Sequence, residues 1–262
     1  MNQFKKPMIS IITVCFNARD IIEQTILSVT NLNFEDFEYI VIDGGSKDGT
    51  VEVLKKYQDK ITIWISESDN GIYDAMNKGI TLAKGDWCYF LNAGDSFYGN
   101  NILEHFKLQL NTDQDVVYGA INCITKSNSF VLKPKPLEKI VDSMIFCHQA
   151  VFVKKTVLDK YKFDINFKIA ADFNLFRQLF LANYKFMELD LVIANYEAEE
   201  GVSSRSFYKM EKEYAIIKGY WGNRKHRFFI FLKVQKYIII NKLRELTPVR
   251  FRRFVRSKIV KN

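Results

Sequence analysis

The run Phe37-Glu38-Tyr39-Ile40-Val41-Ile42-Asp43-Gly44-Gly45-Ser46-Lys47-Asp48-Gly49-Thr50 decides the fold class. Its first six residues are mostly aromatic or β-branched and read as a strand closed by an acid and a glycine turn. Asp48 or Thr50 then caps a helix through Tyr57. The same unit recurs on both sides. Upstream, Met8 to Val14 is an apolar β-branched strand ending at Asn17, and Asp20 to Val29 sets Ile22, Ile26 and Val29 on one helical face. Downstream, Ile61 to Ile65 is a third strand, Gly71 to Ala83 a helix and Trp87 to Leu91 a fourth strand. Strands alternating with helices imply right-handed crossovers and a mostly parallel, Rossmann-like sheet flanked by helices. Ligands bind such sheets beyond the carboxyl ends of the strands.

After Asn100 the pattern is mixed. Asp115 to Tyr118 and Ile121 to Leu132 read as extended, with a turn near Ser127-Asn128. Ala150 to Val153 reads as a strand and Ala171 to Leu181 as a helix, and beyond Ser206 only helices are expected.

The 262 residues, 48% hydrophobic and 26% charged, suit one sizeable domain with an appendage. Net charge divides the same way. Residues 205–262 hold 17 Lys/Arg against three acids, whereas residues 1–204 hold 21 basic and 27 acidic groups. The expected domains are therefore 1–204 and a basic amphipathic helical extension, 205–262. Cys15, Cys88, Cys123 and Cys147 are too scattered for a zinc site or a disulfide framework. The N-terminus leads straight into a strand, so no signal peptide is expected, and no apolar stretch would span a bilayer. A reducing, cytoplasmic setting follows.

Polar residues gather at the strand ends: Thr13 and Asn17 after the first, Asp43 after the second, and Asn92-Ala93-Gly94-Asp95 after the fourth. An acid in a glycine turn is commonly only a turn former, but four such places at one sheet edge can serve one ligand. The first turn, Cys15-Phe16-Asn17-Ala18-Arg19, has neither Gly-x-Gly-x-x-Gly nor Gly-Lys-Ser/Thr, which disfavours a dinucleotide dehydrogenase and a P-loop NTPase. Without a phosphate-cradling loop, a diphosphate's charge falls to a hard cation held by few protein oxygens, with Asp95 its natural ligand.

The segments Thr13 to Asn17, Val41 to Thr50, Asn70 to Gly79 and Ala83 to Asp95 resemble the family 2 glycosyltransferases, inverting enzymes on the A-type glycosyltransferase fold. The similarity spans residues 8 to 200 and is nearest to bacterial capsule, O-antigen and exopolysaccharide enzymes. It implies that Thr13 and Asp43 hold the uridine-like nucleoside with Asn17 nearby. It also implies that Asp95 is the surviving acid of an Asp-x-Asp metal motif for Mn²⁺ or Mg²⁺. Two departures thin that motif: Asn92 stands where an Asp is common, and Gly94 where a second Asp often sits. Gly44 replaces a second Asp common after the second strand, leaving base contact to Asp43.

Inverting transfer needs one base to take the acceptor hydroxyl's proton. Asp172 is the candidate: from the residues alone it either caps the helix or projects into a cleft, and the resemblance implies the base. Asp164 is the fallback, in a segment that reads as a turn. His148 is either a packed core residue or, as the resemblance implies, near the donor sugar or metal. Asn77 and Lys78 either reach the phosphates or decorate the helix, where Asp74 and Lys78 are spaced to pair. Glu200-Gly201-Val202-Ser203 resembles a loop closing over the diphosphate, or is an ordinary glycine turn. The tail 224–262 interleaves basic with apolar residues and suits an anionic membrane surface rather than nucleic acid.

The expected function is thus transfer of a sugar from a UDP donor to a lipid-linked or oligosaccharide acceptor in cell-surface polysaccharide synthesis, at the cytoplasmic face of the membrane. A nucleotidyltransferase would carry a Gly-rich basic loop after the first strand, absent here. A non-catalytic nucleotide-sugar-binding scaffold of the same fold stands as the alternative.

Overall fold

The computed structural model describes residues 6–110, 113–125, 128–197 and 206–246, with side chains of the last helix through residue 240. The chain divides into two compact units, Met1–Ser204 and Arg205–Asn262.

The first unit is built on a nine-stranded sheet. Its first half comprises β1 (Ile9–Cys15), β2 (Phe37–Asp43), β3 (Ile63–Ser66) and β4 (Trp87–Phe90), joined by helices α1 (Ile22–Thr30), α2 (Thr50–Lys56) and α3 (Ile72–Leu82). These four strands are parallel in the order β3-β2-β1-β4, with Ile9 opposite both Phe37 and Trp87. All seven residues of β1 are buried, as a strand covered on both faces requires. Alternate residues feed two cores. Ile9 and Ile11 pack with Ile22, Ile26 and Val29 of α1, whereas Ile12 and Val14 pack with Met76 and Ile80 of α3. Gly79 lets α3 approach β1 closely, because a Cβ there would collide with the Ile12 side chain.

The second half adds β5 (Ser96–Phe97), α4 (Ile102–Gln109), β6 (Val116–Thr125), β7 (Asn128–Leu132), β8 (Val151–Lys154), α5 (Lys155–Lys160), α6 (Ala171–Leu181) and β9 (Phe186–Glu197). Here β8 is antiparallel to β4 and β6, β9 runs parallel to β6, and β5 pairs antiparallel with β9. The sheet is therefore parallel in its first half and mixed in its second. The segment expected as 121–132 resolves into the end of β6 and β7, which pair antiparallel.

The second unit holds α7 (Phe207–Ile217) and α8 (Arg224–Leu246). Ile230 and Val234 of α8 are buried with Ala215, while Phe228, Phe229, Phe231, Leu232, Ile238 and Ile239 are exposed. Near-continuous apolar runs at 100° per residue reach round the helix, so apolar and basic side chains share its exposed faces over residues 224–240. Phe251, Phe254, Val255 and Ile259 lie outside the described residues. Among the described residues no helix is long and apolar enough to cross a membrane.

Candidate active site at the carboxyl edge of the sheet

Two expected nucleoside contacts are engaged within the protein. Thr13 is fully buried and its hydroxyl accepts from Tyr39 Oη at 3.1 Å. Asp43 is also fully buried. Its carboxylate accepts from the amides of Gly45 (3.2 Å) and Ser46 (2.9 Å), from the Ser46 and Ser66 hydroxyls, and more distantly from the Cys15 thiol. With donors on both oxygens and no exposed surface, Asp43 pins the ends of β1, β2 and β3 together. Asn17 stays exposed, in a left-handed conformation (φ 49°) that asparagine tolerates. Its amide N–H donates to Ser46 Oγ (2.7 Å) and its Oδ1 accepts from Lys47 N (3.1 Å), clamping the first two strand-end loops.

The loop after β4 is pinned from below by α1. Thr25 Oγ1 donates to the Asp95 carbonyl (2.7 Å) and accepts from Gly94 N (3.0 Å), while Gln24 Nε2 donates to the Gly94 carbonyl. Asp95 is only 5% exposed. Gln149 Nε2 donates to its Oδ2 at 3.0 Å and Glu197 N to its Oδ1 at 3.2 Å. Burial outweighs these two donors and raises its pKa to about 7. Gln149 escaped the sequence reading. Only the dipeptide His148-Gln149 before a strand hinted at it.

The segment Cys147–Gln149 adjoins Asp95 through the Gln149 side chain. Tyr89 Oη donates to the Gln149 carbonyl, and Cys147 Sγ donates to Gln149 Oε1. Burial pushes the Cys147 thiol up, and the negative charges of Asp95 and Asp172 add to that, so both carboxylates lie within electrostatic reach of one side chain. His148 stacks on Phe90 (centroids 5.5 Å) and meets Phe163 edge-on (6.1 Å). It keeps partial exposure, but none of it at the ring nitrogens, which are buried without a hydrogen-bond partner. Burial lowers its pKa to about 4, so the ring is neutral at pH 7. Asn92 Oδ1 is buried and unpartnered in the same way. Orphaned buried polar atoms are costly, and they concentrate where a ligand completes the structure.

Asp172 lies in the first turn of α6, partly buried. Its Oδ1 accepts from Phe173 N (2.8 Å), and the single Tyr73 Oη proton is shared between the Ile169 carbonyl (2.7 Å) and Asp172 Oδ1 (3.2 Å). Asn77 is likewise engaged within the protein. Its amide donates to the Phe163 carbonyl (2.9 Å) and accepts from Phe163 N (3.0 Å), so it braces the chain leading to α6 instead of reaching phosphates. Lys78 pairs with Glu67 (2.7 Å) rather than with Asp74, which accepts from Asn70 N. Asp164 closes a turn with Asn166. A continuous chain of contacts therefore runs Asp95, Gln149, His148, Phe163, Tyr73, Asp172. The loop Glu200-Gly201-Val202-Ser203 lies outside the described residues.

Among the described residues no three His, Cys, Asp or Glu side chains assemble into a metal cage. A Mg²⁺-like ion that keeps waters and takes diphosphate oxygens needs only one or two protein oxygens. Asp95, with one inward hydrogen bond on each oxygen and lone pairs to spare, and the unpartnered Asn92 Oδ1 fit that lighter role.

The profile of Glycosyl transferase family 2 matches residues 10–179. A PGL/p-HBAD biosynthesis glycosyltransferase of Mycobacterium bovis (strain BCG / Pasteur 1173P2) is 28% identical over 207 residues, covering 76% of this chain and 80% of the relative. Among solved structures, S. aureus TarS 1-349 in complex with UDP-GlcNAc superposes with a TM-score of 0.62 at 18% identity, over 80% of this chain and 66% of that one. Against a longer TarS chain the match spans 39% of that chain. The mannosyltransferase PcManGT of Pyrobaculum calidifontis, in complex with GDP-Man and Mn²⁺, gives a TM-score of 0.61 at 14% identity, over 80% of this chain and 62% of that one. The mixed sheet with its flanking helices is thus an A-type glycosyltransferase fold, and the chain belongs to glycosyl transferase family 2.

Proposed function

We propose that the chain transfers a sugar from a UDP-linked donor, with inversion, to a lipid-linked or oligosaccharide acceptor in cell-surface polysaccharide synthesis. The observation that supports this reading is the run of contacts that links Asp95 to Asp172 through Gln149, His148, Phe163 and Tyr73. In an inverting displacement the leaving diphosphate and the attacking hydroxyl occupy opposite sides of the anomeric carbon. Two carboxylates at the two ends of that run answer both needs.

Asp172 acts as the base, taking the acceptor hydroxyl's proton as the oxygen attacks. The hydrogen bonds from Tyr73 Oη and Phe173 N hold its Oδ1 and orient the carboxylate. Asp95 and Asn92 hold the Mn²⁺ or Mg²⁺, which when bound supplies Lewis-acid stabilisation to the diphosphate. Gln149 fixes the Asp95 carboxylate. His148, neutral and unpartnered, offers a ring N–H or lone pair to the donor, and Asn17 flanks the nucleoside end.

The enzyme works at the cytoplasmic face of a membrane. The apolar side chains exposed on α8 and the 17 basic against three acidic residues of 205–262 support contact with an anionic lipid surface. Nucleotide release measured across UDP- and GDP-sugars, with and without Mn²⁺, tests the catalytic reading. A UDP-sugar is expected to turn over in the presence of metal. Absence of release from every donor, with a membrane-lipid acceptor fraction supplied, refutes it.

A further inference from the structure

Sealing Asp43 leaves the nucleobase end of the site without its expected carboxylate. The gap at Gly44 shows where another one stands. A Cβ built on Gly44 would lie 2.5 Å from Asp69 Oδ2 and 3.3 Å from the Phe16 ring. The Asp69 carboxylate, reaching in from the loop after β3, thus occupies the space that a side chain at position 44 would take. Gly44 is also held at this edge by its N–H, which donates to the Cys15 carbonyl at 2.9 Å.

We infer that Asp69 is the base-reading residue, accepting a ring N–H of the nucleobase through Oδ2 while the base lies against Phe16. This deepens the nucleotide-sugar reading above and rests on it. Three observations converge. Phe16 is 63% exposed at the carboxyl end of β1, so its ring offers an open face to a flat ligand. Base–aromatic stacking is tolerant of base identity, so discrimination falls to the carboxylate. Asp69 Oδ1 accepts from Gly71 N at 2.8 Å, which orients the group and leaves Oδ2 as the oxygen facing Gly44.

The chemistry selects among bases. A carboxylate oxygen accepts from uracil N3–H or guanine N1–H, but it repels the ring-nitrogen lone pair of cytosine N3 or adenine N1. Guanine offers N1–H beside an amino group and is matched best by two free carboxylate oxygens. With Oδ1 engaged by Gly71, the single donor of uracil fits better.

The test is calorimetric binding of UDP, GDP, CDP and ADP to the full chain. The unsubstituted protein is expected to bind UDP tightest, GDP next, and CDP and ADP weakly. Asp69→Asn keeps an oxygen for Gly71 N and turns an NH₂ donor toward the base. It is expected to weaken UDP about 10- to 100-fold while leaving CDP unchanged or tighter, so the UDP-to-CDP preference collapses. Gly44→Ala pushes the carboxylate aside without removing its charge and is expected to weaken UDP in the same direction, with thermal melts confirming that both variants fold. A uniform loss for all four nucleotides, or an unchanged UDP-to-CDP ratio in Asp69→Asn, overturns the assignment while leaving the glycosyltransferase reading intact. Failure of the unsubstituted protein to bind any nucleotide overturns both.

Discussion

Replacing His148 with Phe removes two buried ring nitrogens that have no hydrogen-bond partner and keeps an aromatic ring between Phe90 and Phe163. An unsatisfied buried polar group costs ~1–3 kcal/mol. The variant is therefore expected to be more stable than the parent by roughly that amount at pH 7.5, or about 2–12 °C in Tm for a unit of this size. The effect has a pH signature. Burial holds the folded-state pKa of His148 at about 4, below the ordinary imidazole value of 6.5. The unfolded chain therefore takes up a proton through pH 6.5 while the folded one does not until pH 4. The parent's stability from this group is complete above pH 6.5 and falls as pH drops to 4, by about 3 kcal/mol in all. The variant lacks that fall, so its advantage widens by about 2 kcal/mol between pH 7.5 and pH 5. Asp95 works in the opposite sense: with its pKa raised to about 7, its contribution is complete below the unfolded value of 3.8 and is lost as pH rises through 7. It is common to both proteins and cancels in the difference. Urea melts at the two pH values give these numbers, and donor turnover is expected to drop as stability rises. A variant no more stable than the parent, with a pH-independent gap, would refute the claim that the nitrogens are kept unpartnered for a ligand.

Asn77→Ala deletes both hydrogen bonds to the Phe163 backbone. It should cost about 1–3 kcal/mol in urea denaturation, with UDP affinity unchanged. Gly79→Ala drives a methyl into Ile12 at the α3–β1 contact. A loss of about 1–3 kcal/mol in thermal or chemical melts is expected from such overpacking. Truncation after residue 223 removes α8 and the basic end. Co-sedimentation with vesicles containing anionic lipid should be lost, and added salt should weaken it in the intact chain.

The first half of the fold was legible because each strand there is a dense apolar run with a glycine or polar stop, and each helix carries a 3.6-residue stripe such as Ile22, Ile26 and Val29. Helix α6 was read with its observed limits for the same reason. β9 was missed because Glu188 and Asp190 interrupt Phe186–Glu197, although both point outward and are exposed. α5 spans six residues and β5 two, too few for periodicity to show. At the site, sequence located the strand ends but not which way their side chains turn. Asp43 and Asp69 are both acids beside glycines, and only three-dimensional packing reveals that one is sealed by five donors while the other fills the void beside Gly44. Gln149 and the orphaned nitrogens of His148 were equally invisible, since burial and hydrogen-bond partners come from elements distant in sequence.

Asp172→Asn addresses the proposed chemistry most directly, because it alters one atom's ability to take a proton and preserves an oxygen for Tyr73 and Phe173. Turnover of the UDP-sugar donor is predicted to fall by about 10²–10⁴-fold, while calorimetric affinity for UDP stays within twofold of the parent. Turnover that survives the substitution would contradict the assignment of Asp172 as the base.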